Sequence, residues 1–277
     1  MVSKLCRLST SILIYVLSIT PIIAGEIEVA VLVNDTHPPY SYLEDGEAKG
    51  IYIEVMKRIS LRMEGYSIKY KPAPWPRVKE EIKHGRGFSF VGPYYHGHDW
   101  PYVWPYSLPI MDESVVVVCR DEVLKTPRLQ WPDDYLGLII GNNTGYDGFG
   151  GAKFRDYVKE GKITLQEVKT TRQNILMLIS GRADCYMVNR LSYAWEMKQL
   201  IEAGETKLYP NFSLTESLVI STDAVYMGFT DMDEGKYPFK KNFHQKFNNE
   251  LYAMYKSNEI ERITKEYIEK FISVAEL

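Results

Sequence analysis

The chain has 277 residues, of which 45% are apolar and 25% charged, and its formal net charge is −3. This length allows two modest domains or one large one, and the composition is that of an ordinary globular protein. The mildly acidic balance argues against nucleic acids and anionic membranes as partners.

The first 25 residues predict a cleaved signal peptide. Lys4 and Arg7 precede a mostly apolar stretch, 8–23, and two small residues, Ala24 and Gly25, follow it. An uncleaved membrane anchor is the alternative, but serine, threonine and proline interrupt the apolar stretch, so it would span a bilayer poorly. We therefore expect a secreted, periplasmic protein whose mature charge is −5 (31 minus 36).

Hydrophobic periodicity predicts two α/β units followed by terminal helices. In the first unit, strands are predicted over 26–33, 66–71 and 88–91, with helices over 51–63 and 76–83. In the second, strands are predicted over 114–120, 136–141, 163–168 and 184–188, with helices over 154–159, 172–180 and 190–202. A late strand over 225–230 and helices over 239–255 and 259–271 complete the chain. Such an order is typical of two lobes with open α/β sheets.

The mature chain contains two cysteines, Cys119 and Cys185. Export would permit a disulfide between them. Two small buried residues in separate strands are an equally good interpretation, because spacing alone does not determine pairing.

The order of five segments resembles the extracellular solute-binding proteins of the family 3 type, the binding components of polar amino-acid importers. These segments are HPPYSYLEDGEAKGIYIEVMKRI, PAPWPRVKEEIKHG, YSLPI, WPDDYLGLIIGNNTGY and ISGRADCYMVN, and the last helix is also similar. The resemblance implies a two-lobed, type II-like periplasmic-binding-protein fold with a hinge and an interlobe cleft. It implies one lobe from residues 26–112 plus 224–277 and another from 113–223, with the hinge near Asp112 and Asp223.

The chain departs from this family at the residues that hold an amino acid. The family's carboxylate-binding arginine falls on Trp100, and its ammonium-binding aspartate falls on Asn189. Asp147 stands in the loop that meets the ligand's carboxylate, where it would repel an anion. We therefore expect a ligand held by stacking and neutral hydrogen bonds, with at most one strong charge contact through Arg77 or Asp147, and weak binding of standard α-amino acids.

The predicted ligand-binding residues lie in the loops at the carboxyl ends of the strands. They are His37, Tyr40, Trp75, Arg77, Tyr94, Tyr95, Trp100, Tyr146, Asp147 and Asn189.

Several of these residues also allow a purely structural interpretation. Arg77 could instead be a surface residue, and Asp147 could cap a helix. Trp100, Tyr102, Trp104 and Tyr106 would share one face if the segment is extended, forming an aromatic wall.

A further motif, His96-Gly-His98-Asp99, offers metal ligands on alternate residues, but the sequence places no third ligand with it. A polar loop is therefore the preferred interpretation. We expect no metal and no cofactor.

The expected function is capture of a small polar solute by a monomer that delivers it to an inner-membrane ABC permease, without chemistry on the solute. A periplasmic sensor component for a membrane signalling protein is one alternative, and nothing in the sequence separates it from import. A lyase that uses a cleft carboxylate such as Asp147 as acid or base is the other.

Overall fold

A computed structural model of the chain describes residues 26–93 and 100–271. The predicted signal peptide lies outside these residues, and so do Tyr94, Tyr95 and the histidines of the candidate metal motif. Within the described part, no helix is both long and apolar enough to cross a membrane.

One nine-stranded mixed sheet runs through the molecule. Its strands are β1 (Ile27–Asn34), β5 (Tyr66–Ala73), β6 (Ser89–Pro93), β7 (Val103–Tyr106), β8 (Met111–Arg120), β9 (Ile139–Asn143), β10 (Thr164–Val168), β11 (Cys185–Asn189) and β12 (Leu214–Thr230). Their order is β10-β9-β11-β8-β12-β6-β1-β5, with β7 beside β12. A small separate sheet is formed by β2 (Thr36–His37), β3 (Ser41–Glu44) and β4 (Glu47–Lys49).

In the part of the chain that the structure describes, seven α-helices pack on these strands. They are α1 (Ile51–Ser60), α2 (Trp75–Lys83), α3 (Gly151–Lys159), α4 (Thr171–Ile179), α5 (Arg190–Glu202), α6 (Lys240–Lys256) and α7 (Glu259–Phe271). Helix α1 begins after Gly50, whose φ of 126° favours glycine. A side chain is also excluded at this position, because a Cβ would lie 2.2 Å from the carbonyl oxygen of Tyr40.

The fold class predicted from the sequence is confirmed. Strands β1, β5 and β6 form one lobe with α1, α2, α6 and α7. Its apolar core consists of two clusters, one with α1, α6 and α7 and one with α2. Strands β9, β10 and β11 form the other lobe with α3, α4 and α5. The long strands β8 and β12 are antiparallel neighbours that run through both lobes, and Asp223 pairs with Glu113 in their register. The chain positions at which the lobes divide stay a prediction.

Cys119 and Cys185 form a disulfide, which the sequence alone left undecided. Cys119 on β8 and Cys185 on β11 are direct partners in antiparallel register, with their Cα atoms 4.0 Å apart. The bond joins two neighbouring strands in the core of the second lobe.

The aromatic segment after residue 99 does not form the single wall predicted from its alternation. A turn at residues 101–102 precedes β7, so only the later part of the segment is extended. Trp100 is buried, Tyr102 and Tyr106 are half-buried, and the side chain of Trp104 is exposed. The four rings therefore do not share one face.

Candidate functional site

A cleft of about 440 Å³ lies between the lobes, at the carboxyl ends of β1 and β6. The first lobe and the crossing strands contribute Asn34, His37, Ser41, Tyr52, Trp75, Val91, Gly92, Glu113, Val115 and Asp223. The second lobe contributes Tyr146, Gly148, Phe149, Gly151, Ala152 and Arg155. In an open α/β sheet this edge is where ligands bind.

Trp75, at the start of α2, forms an aromatic wall of the cleft in the first lobe. Its ring stacks on Trp100 with centroids 6.3 Å apart, and Trp100 stacks in turn on Tyr102 at 5.4 Å. Gly92 leaves room for the indole, since a Cβ there would lie 2.7 Å from it. Trp75 thus faces the cleft, while Trp100 supports it from behind.

A buried carboxylate, Glu113, lies at the start of β8 in the cleft and is only 8% exposed. Its Oε2 accepts a short hydrogen bond from Nδ2 of Asn189 and lies 3.3 Å from Nε2 of His37. Tyr40 donates its hydroxyl to Oδ1 of Asn189 at 2.6 Å. This network fixes Glu113 between the lobes.

The hydroxyl of Tyr40 remains a donor in this network. Burial, followed by the charge of Glu113, raises the pKa of Tyr40 well above 10.0, although the bond to Asn189 acts in the opposite direction. Tyr40 also stacks on His37 with ring centroids 4.9 Å apart, so it positions both His37 and Asn189.

Tyr52 on α1 brings an unsatisfied polar group to the cleft. Its side chain is 2% exposed, and its hydroxyl has no hydrogen-bond partner among the described residues. Its ring packs against Tyr40 with centroids 5.3 Å apart. A buried hydroxyl without a partner costs free energy, so such a group at a cleft wall points to a ligand that forms a hydrogen bond with it.

The second lobe faces the cleft with Tyr146, Phe149 and the beginning of α3. Tyr146 accepts a 2.8 Å bond from Nδ2 of Asn34, and its ring meets Phe149 edge-on at 5.3 Å. Helix α3 begins at Gly151 and carries Arg155 on its second turn, so the helix N-terminus and the guanidinium both bring positive charge to this wall.

Of the residues predicted from the sequence to bind the ligand, the structure places His37, Trp75 and Tyr146 in the lining of the cleft. Their contact with a ligand stays a prediction. Tyr40, Trp100 and Asn189 are buried directly behind it, where they position the lining residues rather than form the lining.

Arg77 and Asp147 do not line the cleft. Arg77 is exposed on α2 and borders a separate depression. Asp147 has a 70% exposed side chain that pairs with Lys79, and the residue before α3 is Gly150, so Asp147 is not its N-cap either. The charged groups at the cleft are instead Glu113, Asp223 and Arg155.

Sequence reasoning did not identify Tyr52, Glu113 or Arg155. For Tyr52 and Glu113, the sequence did contain a feature that could have identified them. A tyrosine interrupts the apolar run at the start of α1, and a glutamate stands at the start of the valine-rich strand β8. Arg155 carried no signal, because a helix surface commonly bears an arginine.

One group of side chains resembles the catalytic triad of a hydrolase: Ser192, His37 and Glu113. Their hydrogen bonds indicate a structural role instead. Ser192 Oγ lies 3.4 Å from Nδ1 of His37, yet it donates to the carbonyl oxygen of Pro38 at 2.6 Å. Ser192 is also 1% exposed and does not line the cleft. A nucleophile must reach its substrate, and this hydroxyl does not.

Metal ligands are not assembled in the described ranges 26–93 and 100–271. No group of three or more histidine, cysteine, aspartate or glutamate side chains is placed there to hold an ion.

These features define a two-lobed α/β binding protein with its site between the lobes. The model of the bacterial extracellular solute-binding proteins, family 3, matches residues 29–270, so the chain belongs to that family. The resemblance inferred from the sequence motifs is confirmed. No curated protein matches the chain.

Solved structures share the fold. A histidine kinase sensor domain with similarity to periplasmic binding proteins aligns with a TM-score of 0.66 and 15% identity, covering 88% of this chain and 96% of that chain. A structure from work on glutathione import through GshT and the cystine importer TcyBC of Streptococcus mutans aligns with a TM-score of 0.67 and 16% identity. The alignment covers 91% of this chain and 100% of that chain. The substrate-binding protein AbpA from Streptococcus pneumoniae, bound to L-arginine, aligns with a TM-score of 0.63 and 15% identity. The alignment covers 89% of this chain and 96% of that chain.

Proposed function

We propose that this protein captures a small polar solute in the periplasm and delivers it to an ABC importer of the inner membrane, acting as a monomer. The observation that carries the proposal is a single cleft lined by both lobes. It combines aromatic walls with a few convergent polar groups, as small-molecule sites do. A solute that contacts both walls favours the form in which the lobes are together.

The proposed ligand-contacting residues are His37, Trp75 and Tyr146, predicted from the sequence, together with Tyr52, Glu113 and Arg155. Tyr40, Trp100 and Asn189 are proposed as positioning residues. Family membership and the fold shared with AbpA support import.

The experiment is a thermal-shift screen of the mature protein against amines, quaternary amines, sugars, organic acids and amino acids. A solute at a hundred times its dissociation constant stabilises the protein by roughly 2.7 kcal/mol, which such a screen detects. Each hit is then examined by small-angle scattering, where binding should reduce the radius of gyration. Equal radii with and without a saturating solute would contradict the proposed closure.

A matched pair of tryptophan variants tests the location of the site. Trp75→Ala should weaken binding of a hit about ten-fold or more, because a stacking wall is lost. Trp104→Ala removes an equally large ring that is 64% exposed and outside the cleft, so affinity should not change. Equal effects of the two substitutions would place the binding site elsewhere.

Ligand sensing uses the same binding step as import, and the fold shared with the histidine kinase sensor domain supports it as the second candidate. Genes for a permease and an ATPase beside this one favour import, and a gene for a kinase or cyclase favours sensing. A lyase acting through a cleft carboxylate would have to use Glu113 or Asp223 rather than Asp147. Turnover of a hit, followed by product analysis, tests that alternative.

A further inference from the structure

We infer that Glu113 is the residue that selects the solute, and that the solute carries a protonated amine or guanidinium group whose N–H donors bond to this carboxylate. The inference rests on the proposed function and names its ligand class. It places the cationic group near the crossing strands instead of at Asn189, where the family resemblance would have placed it.

The hydrogen bonds of Glu113 leave one oxygen available. Both protein contacts, from Asn189 and His37, are made to Oε2. Oε1 accepts no hydrogen bond from the residues that the structure describes, although Glu113 lines the cleft. Among those residues, no lysine or arginine lies within ion-pairing distance of the carboxylate.

A buried carboxylate without a lysine or arginine partner is costly to desolvate, and a ligand cation offsets that cost with a charge-assisted hydrogen bond. The described part of the lining has two carboxylates, Glu113 and Asp223, and one guanidinium, Arg155. Arg155 is exposed, so water screens its charge more than that of Glu113. At the buried part of the cleft, where Glu113 lies, the charges therefore favour a cation over an anion of equal size.

Tyr52 gives a second, independent indication. A chain of contacts runs from its ring to Tyr40, from Tyr40 to His37 and from His37 to Glu113, so Tyr52 and Glu113 belong to the same part of the cleft. The unpartnered hydroxyl of Tyr52 is both a donor and an acceptor. It can accept a bond from an N–H of the solute's cationic group or donate to an oxygen beside that group.

The aromatic walls suit the same ligand. His37 and Tyr146 meet edge-on with ring centroids 5.8 Å apart, and Trp75 lines the opposite part of the first lobe. Ring faces attract cations, which adds to the carboxylate contact without requiring an α-carboxylate on the ligand.

Matched probes test the charge requirement by calorimetry. Tyramine, agmatine and putrescine are compared with the neutral 4-(2-hydroxyethyl)phenol and 1,4-butanediol and with the anionic 4-hydroxyphenylacetate and succinate. Choline is included because it has a positive charge but no N–H donor on its nitrogen. At least one of the three N–H cations should bind, and its neutral and anionic counterparts and choline should bind at least about ten-fold more weakly.

Two variants test the residues against the cation that binds. Glu113→Gln retains an acceptor for Asn189 and His37 but removes the charge, and it should weaken binding roughly 10- to 100-fold. Tyr52→Phe should weaken binding about three-fold or more while leaving the ligand-free protein as stable or more stable, because it deletes a buried group that has no protein partner. Asp231→Asn, at an exposed carboxylate outside the cleft and outside the contacts between the lobes, is the control and should bind like the wild type.

The outcomes separate this inference from the proposed function. A neutral or anionic solute that binds more tightly than every cation and compacts the protein overturns the inference and leaves solute capture standing. Cation binding that neither Glu113→Gln nor Tyr52→Phe weakens also overturns the inference. If Glu113→Gln does not fold, the effect of Tyr52→Phe on cation binding decides whether the inference stands. If no solute of the whole screen binds or compacts the protein, solute capture fails and the inference fails with it.

Discussion

At the scale of single residues, Asn189 determines how the cleft is held. Its side chain accepts from the hydroxyl of Tyr40, donates to Glu113 and caps α5 by accepting from the amide of Leu191. Asn189→Ala leaves a buried hydroxyl and a buried carboxylate short of a partner and removes the cap. We expect it to lower the free energy of unfolding by about 2–4 kcal/mol.

Urea unfolding followed by circular dichroism measures this change. The control is Asn211→Ala, an exposed asparagine in the second lobe, which should change stability by less than about 0.5 kcal/mol. A similar small change at Asn189 would show that water replaces its contacts and that the network does not stabilise the fold.

The same residue shows how far the site was predictable. The motif around Asn189 placed it correctly at the carboxyl end of a strand, but its side-chain contacts depend on Tyr40, 149 residues away in sequence. The positions of His37, Trp75 and Tyr146 were predictable because the family resemblance implied that their loops border the cleft. Glu113 and Tyr52 lie in a strand and a helix, where sequence periodicity indicates burial but does not reveal which groups face a cavity.

At the scale of elements, the buried strands and the helices were predictable from the sequence, whereas the exposed and very short strands were less so. Strand β12 begins eleven residues before the predicted start at 225. The extra residues, 214–224, alternate exposed and half-buried positions along β8, and such a pattern lacks the apolar run that identifies a buried strand. The small sheet β2–β4 is absent from the predicted strands because its strands have only two to four residues each.

The start of α7 is fixed by an ion pair whose contribution depends on pH. Glu259, the first residue of the helix, accepts two bonds from Arg62 at 2.7 and 2.9 Å and lies 3.6 Å from Arg58. These contacts, led by the hydrogen bonds from Arg62, lower the pKa of Glu259 below 4.5. Stability from this pair is therefore fully present above pH 4.5 and is lost as the pH falls through the lowered value.

Glu259→Gln should accordingly destabilise the protein at pH 7, and the difference from the wild type should shrink steadily below about pH 4.5. Denaturant unfolding at pH 7, 5, 4 and 3 measures it. Glu261→Gln, an exposed position on the same helix, provides the control and should show no such trend. A difference that stays constant with pH would mean that α7 is held by packing alone.

At the scale of the whole molecule, the two lobes contact each other directly, apart from any ligand. Lys79 on α2 pairs with Asp147 and donates to the carbonyl oxygen of Gly145 at 2.9 Å. Elsewhere, Trp195 on α5 packs against Tyr42 and Tyr267, with ring centroids 5.6 and 6.3 Å apart. The closed arrangement is therefore stabilised by the protein itself, and a ligand has to supply only part of the free energy of closure.

The free-energy contributions of these two contacts indicate which of them stabilises the closed arrangement more. An exposed ion pair contributes at most about 1 kcal/mol and is screened by salt, whereas burying an aromatic side chain contributes roughly 1.5–3 kcal/mol. Asp147 has a 70% exposed side chain, while Trp195 is only 7% exposed. The apolar contact between α5, β3 and α7 should therefore control closure more strongly than Lys79 does.

Trp195→Ala should consequently shift the ligand-free protein toward an open form and raise its radius of gyration in small-angle scattering. It should also weaken binding of any solute in proportion to the lost closed fraction, although Trp195 does not line the cleft. Lys79→Ala should produce a smaller shift at low salt, and this shift should disappear at about 1 M salt because the pair is then screened. If Trp195→Ala leaves both the radius and the affinity unchanged, or if Lys79→Ala has the larger effect at high salt, the lobes are held together by the hinge strands and not by these contacts.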